Sequence, residues 1–299
     1  MSTCSRRKFL QAATSIAALG VSAPSLAIGP SARGRHTSRL KLSLAAYSFR
    51  DYLTGKSEPH MTLFDFIDRA AQMDLDAVEL TEYYFPKPLT SDYIARIKRQ
   101  CYLLGLDISG SPMRNTFTYP PGPERDREIA GVQQWIDRAA QLGAPCVRIF
   151  AGSRQPGQSQ KEAEQCCIEC IQAACEHAVQ RGVLLALENH GGIVEEAEAL
   201  LNIVQKVNSE WCGINLDTGN FRTADPYGDL ARCAPYAVSV QVKTEVQPKG
   251  QPKREADFAR IVQVLKDADY RGYLTLEYEA AEEPLKAVPH YIEKLREVL

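Results

Sequence analysis

The chain has 299 residues, 44% of them hydrophobic and 24% charged, with 35 basic against 37 acidic side chains and a formal charge of −2. That is enough apolar content for a large buried core, in one domain of barrel size or in two smaller ones. A calculated isoelectric point near 6.3 leaves no electrostatic footprint for nucleic acid, so no DNA or RNA partner is expected.

The N-terminus reads as an address. Ser5-Arg6-Arg7-Lys8-Phe9-Leu10 resembles the twin-arginine export motif, and an uncharged, moderately apolar stretch follows from Ala12 to Ile28. Ser25 and Ala27 supply small residues at −3 and −1, so residues 1–27 are expected to be a signal cleaved after Ala27. Residues 28–39 then read as a disordered tether. Losing Arg6, Arg7 and Lys8 shifts the formal charge from −2 to about −5. No later apolar run approaches the length of a membrane span. The expected location is extracytoplasmic, in the periplasm. As the resemblance implies, substrates of this route cross already folded, which suits an enzyme that loads a metal before export.

From residue 40 onward, short β-rich apolar runs alternate with longer helical patterns. Strands are expected at 42–47, 76–80, 106–110, 146–150, 183–188, 212–217, 238–243 and 273–278. Helices are expected near 61–73, 91–104, 124–142, 160–181, 194–208, 226–233, 255–268 and 284–298. Gly105, Gly143, Gly182 and Gly272 each precede a strand, where a helix-terminating residue takes positive φ. Eight strands in strict alternation with eight helices predict one parallel (β/α)8 TIM barrel spanning 40–299. No Gly-rich phosphate loop is present. Of nine cysteines, Cys4 would leave with the signal; Cys166, Cys167, Cys170 and Cys175 crowd one helix and read mainly as small buried hydrophobes.

The longest connections follow strands two, three, four and seven: Thr81–Thr90, Ser111–Pro123, Ala151–Ser159 and Lys243–Arg254. All four fall on the face where a barrel places its active site. On that same face Glu188, Asp217, Gln241 and Glu277 each close a different expected strand, in LLALENHGG, CGINLDTGN, VSVQVKTE and YLTLEYEA. Their convergence would gather the oxygen ligands that a hard divalent cation requires.

Together these residues, with Lys243 in VQVK, make the chain resemble the xylose-isomerase-like barrel superfamily over essentially all of 40–299. It is most similar to the sugar phosphate isomerase/epimerase group, which includes ketose 3-epimerases and relatives of endonuclease IV. The resemblance implies one divalent cation, Mn2+ first with Mg2+ or Co2+ as alternatives, held by Glu188, Asp217 and Glu277. Gln241 stands where a His is usual, and Asn220 where a His often follows the DTG motif. A Gln amide oxygen can bind a hard ion or orient a water.

The implied chemistry is proton transfer beside a carbonyl, with Glu188 and Glu277 as the acid/base pair on opposite faces of a sugar or keto-sugar. His190, Asn220, Lys243, Glu245, Glu82 and Arg148 are the candidates for substrate contact. Against each stands a plainer role: loop structure for His190, a local ion pair for Lys243 and Glu245, a surface acid for Glu82, a buried pair for Arg148. Lys249, Lys253 and Arg254 read as a solvated loop. The same carboxylates would serve a lyase or hydrolase acting on keto-glycosides, and Gln241 with Asn220 also admits a non-catalytic sugar-binding barrel. A multi-zinc phosphodiesterase would need more histidines than His190 at the site. Export argues for a non-phosphorylated substrate; the oligomeric state is not readable.

Overall fold

A computed structural model describes residues 40–299, so the expected signal, 1–27, and tether, 28–39, lie outside the described residues. Eight strands form one parallel sheet: β1 (Leu40–Ala45), β2 (Ala77–Glu79), β3 (Asp107–Gly110), β4 (Cys146–Ile149), β5 (Leu184–Glu188), β6 (Cys212–Asp217), β7 (Ala237–Val242) and β10 (Gly272–Leu276). Their order is β3-β2-β1-β10-β7-β6-β5-β4, so first and last strands are neighbours and the sheet curls into a barrel. A small antiparallel pair, β8 (Glu245–Val246) with β9 (Arg254–Glu255), sits in the connection after β7. The sequence pattern reads that connection as solvated loop, and a strand of two residues leaves no periodicity to detect.

The seam of the barrel lies between β3 and β4. It is closed just past the end of β3, by Ser111 N–H to Cys146 C=O (3.0 Å) and Met113 N–H to Arg148 C=O (3.1 Å) of β4. Gly110 allows this approach, because a Cβ there would stand 3.1 Å from Cys146 Sγ. Beyond the seam the two following loops stay joined. Both ends of the Asn115 amide bond the Phe150 backbone at 2.8 Å, and Phe117 N–H reaches Ala151 C=O at 2.9 Å.

Helices cover the outside. In α1 (Leu63–Gln72), Leu63, Phe66, Ile67 and Ala70 recur at helical spacing and are buried. Burying each large apolar side chain contributes about 1.5–3 kcal/mol against solvent. A capping box of Thr62 and Asp65 fixes where this helix starts. Helix α2 (Gln160–Arg181) is started by a second box, Ser159 with Glu162, and buries Cys166, Cys167, Cys170 and Cys175. All eight cysteines among the described residues are free and buried, in keeping with use as small hydrophobes.

Gly105, Gly143 and Gly182 take positive φ at helix ends as expected. Gly272 does not. It opens β10, and the left-handed turn before it belongs to Asp269 at φ 53°. What needs a glycine at 272 is space, since a Cβ would meet Tyr270 Oη at 2.8 Å. No helix among the described residues is long and apolar enough to cross a membrane.

Candidate active site

The C-terminal ends of the strands surround a cleft of about 600 Å3 whose floor includes Glu188, Glu277, Arg148 and Lys243. Glu188 ends β5, Asp217 ends β6, Gln241 lies in β7, and Glu277 follows β10 directly. Their Cα register is close: Asp217 pairs with Gln241, and Thr275, two residues before Glu277, pairs with Gln241 from the other side. Parallel pairing therefore delivers the four residues at nearly one level. All four are buried.

Two cations organise the floor. Arg148 in β4 places Nε 2.8 Å from Glu188 Oε2, and its Nη1 donates to Met113 C=O at 2.7 Å. The Arg148 guanidinium lies 3.9 Å from the centre of the Phe150 ring, and His190 packs on that ring 4.3 Å away. Lys243 makes three ionic contacts: its ammonium donates to Glu277 Oε2 and Glu279 Oε2 and stands 3.4 Å from Asp217 Oδ2. Gly219 lets the loop after β6 pass over this lysine, since a Cβ there would stand 2.7 Å from Lys243 Cβ. Asn220, from the same loop, donates to Glu188 Oε1 at 2.9 Å.

Burial pushes Glu188 upward from the usual carboxylate range, with Arg148 opposing. It also pushes Asp217 upward, with Lys243 opposing and Glu188 adding to the rise. Burial would depress Lys243, but Asp217, Glu277 and Glu279 overcome it and hold its pKa high. His190 is lowered, chiefly by burial and then by Arg148, which favours its neutral form.

The strand-end rule also applies to an acid that the sequence reading passed over. Glu79 closes β2, is 2% exposed, and accepts from Gln241 Nε2 at 2.8 Å. Burial and the nearby Glu277 raise its pKa to about 8. Glu279 is the other omission: it is Lys243's outer partner and lines the cleft. Glu82 falls in a single 3-10 turn after β2 and is not among the cleft-lining residues; its neighbour Tyr83 is. Glu245 pairs with Lys253 at 3.3 Å, the plainer of its two expected roles.

Gln241 departs from the expected ligand geometry. Its Oε1 accepts from Asn215 Nδ2 at 2.7 Å, while its amide nitrogen faces Glu79 and, at 3.4 Å, Glu277. Among the described residues no three His, Cys, Asp or Glu side chains stand close enough to hold a metal as they are placed. The chemistry of the set nevertheless fits a hard dication. Four buried carboxyl groups, Glu79, Glu188, Asp217 and Glu277, face only two buried cations, Arg148 and Lys243. Among the described residues Glu188 Oε2 and Asp217 Oδ2 are buried without a hydrogen bond and meet only a cation each. Turning the Asn215 and Gln241 amides over together would keep their mutual bond and present the Gln241 oxygen to the carboxylates, in exchange for its present bond to Glu79. Glu188, Asp217 and Glu277, with Gln241 so turned, are the residues that would hold the ion.

Comparisons with known proteins agree with this architecture. A putative hydroxypyruvate isomerase of Homo sapiens is 24% identical over 229 residues, covering 67% of this chain and 79% of that protein. The structure of D-psicose 3-epimerase with D-tagatose from Clostridium cellulolyticum superposes with a TM-score of 0.69 at 16% identity, over 87% of this chain and 99% of that one. A 3-keto-D-glucoside 4-epimerase from E. coli superposes with a TM-score of 0.67 at 13% identity, over 87% and 99%. At such identities the structural likeness speaks for the fold. Residues 67–298 match the family described as xylose isomerase-like TIM barrel, and the chain belongs to that family.

Proposed function

We propose that the protein is an exported isomerase or epimerase of a non-phosphorylated sugar or keto-sugar, assisted by a divalent cation, Mn2+ first. The reading is supported by one observation above others. Glu188 and Glu277 line the same cleft from strands three places apart around the ring, and each carries its own cation. A substrate lying between them would have one carboxylate on each face.

Proton transfer beside a carbonyl needs a carboxylate that is ionised to accept and able to give the proton back. Burial drives Glu188 toward protonation and Arg148 holds it ionised, so the two influences leave it poised between states. Lys243 pairs with Glu277 from the other side of the cleft. Asn220 fixes the Glu188 carboxylate by its second oxygen, so the group cannot rotate away from the cleft. Phe150 and His190 pack against each other, their rings tilted by 44°, and line the cleft beside Arg148. A bound divalent ion would supply positive charge to offset the negative charge that develops on the carbonyl oxygen as the neighbouring proton leaves.

The test is exchange of the carbon-bound proton. Keto-sugars incubated with the protein and Mn2+ in deuterium oxide are expected to gain one deuterium beside the carbonyl. Glu188→Gln or Glu277→Gln should each slow this by about 10²–10⁴-fold. Elemental analysis should find Mn, Mg or Co in the wild type and lose it in the double variant. Exchange indifferent to both substitutions would rule the reading out.

A further inference from the structure

The floor of the cleft holds its cations in ion pairs with acids, but the cations of its rim have no acid partner. Arg114, on the loop after β3, and Arg154, on the loop after β4, both line the cleft and both are exposed. Neither has an ion-pair partner among the described residues; Arg114 rests only against the Tyr83 ring, 5.4 Å from its centre. The acids that line the cleft, Glu188, Glu277 and Glu279, are already paired with Arg148 or Lys243. The upper part of the cleft is therefore positive, on a chain whose formal charge is −2.

The loops that carry the two arginines are tied to each other. Their loops are joined by the Asn115 amide on Phe150, by Phe117 N–H on Ala151 C=O, and by Thr118 Oγ1, which donates to Ser153 C=O at 2.6 Å. Gln155 and Gln158 each donate to Thr118, at 3.0 and 2.9 Å. Six bonds across two loops make one platform, so the backbone that carries Arg114 and Arg154 is set before binding, and only their exposed side chains have to order. Two guanidinium groups carried on one support suit a planar oxyanion, which they bind through charged, bidentate hydrogen bonds.

We propose that the substrate carries an acidic group, which Arg114 and Arg154 bind at the rim while the reacting carbon lies below between Glu188 and Glu277. A sugar acid or keto acid has this form, with a carboxylate at one end and a hydroxy-ketone within reach of the floor. The proposal rests on the proposed function and narrows its substrate class.

The experiment compares binding of glucuronate, glucose and glucose 6-phosphate to the metal-loaded wild type and to an Arg114→Ala/Arg154→Ala variant, by calorimetry. Wild type is expected to bind an anionic sugar about tenfold or more tighter than glucose, a ratio that collapses toward one in the variant. A preference for glucuronate over the phosphate would identify a carboxylate; the reverse would keep the anion site and overturn the non-phosphorylated part of the proposed function. Equal binding of glucose and both anions by wild type, or a preference that survives the double substitution, would overturn it. Circular dichroism of the variant excludes misfolding, and Arg114→Lys/Arg154→Lys should keep part of the preference through charge alone. Deuterium exchange is scored separately: exchange into neutral keto-sugars with no anion preference sinks this inference and leaves the isomerase reading standing. Anion preference without exchange into any hydroxy-ketone does the opposite.

Discussion

The two halves of the cleft floor neutralise charge differently. On the β4–β5 side the account is one to one: Arg148 meets Glu188, and the remaining Glu188 oxygen is held by neutral Asn220. On the β6–β7–β10 side a single ammonium, Lys243, serves Asp217, Glu277 and Glu279. The first half is closed. The second keeps surplus negative charge, three acids on one ammonium, and this is the half where added positive charge would be welcome.

The largest expected effect comes from removing either cation. Arg148→Met and Lys243→Met each leave buried carboxylates uncompensated and should cost about 3–5 kcal/mol in urea unfolding. The two differ in how they are rescued. Glu188→Gln should restore most of the Arg148→Met loss, because it removes the sole acid that the guanidinium pairs. Glu277→Gln should restore only part of the Lys243→Met loss, because Asp217 and Glu279 remain. Equal rescue on both sides would erase the distinction between the halves.

A middling effect is expected from pH. Glu79 is buried with a folded pKa of about 8 against an ordinary value of 4.5. Between those values the folded chain retains a proton that the unfolded chain releases, so stability falls as pH rises through that window. Wild type without metal should lose on the order of 2 kcal/mol more than Glu79→Gln between pH 6 and pH 8. A variant that loses as much as wild type would mean that Glu79 is ionised in the fold. The smallest effect belongs outside the floor. Lys253→Ala breaks only the half-exposed pair with Glu245, and its stability should change by less than about 1 kcal/mol.

Which parts of this were legible in the sequence follows from which contacts are local. A strand end is marked by its own apolar run and the glycine or loop beyond it, so Glu188, Asp217, Gln241 and Glu277 could be placed on one face without coordinates. Glu79 obeys the same rule in DAVEL, yet the aromatic loop drew the reading three residues on, to Glu82, which the 3-10 turn holds outside the cleft lining. The partners of Lys243 and the direction of the Gln241 amide depend on residues 26 to 162 positions apart in the chain, and no periodicity records them. Gly272 shows the converse limit. Its position before a strand suggests a helix terminator, whereas the constraint is the phenol of Tyr270 two residues earlier.

The clasp at Asn115 has a mechanical consequence. There a side-chain amide, bonding both the N–H and the C=O of Phe150, does what a neighbouring strand does elsewhere in the ring. One joint of the barrel is thus fastened in part by a rivet where the others are glued along their length. Asn115→Ala would remove two fastenings there, leave the other strands bonded edge to edge, and loosen the mouth at this joint first. Amide hydrogens of Phe117 and Phe150 should then exchange with solvent well before those of β5 and β6, widening the opening through which a substrate enters.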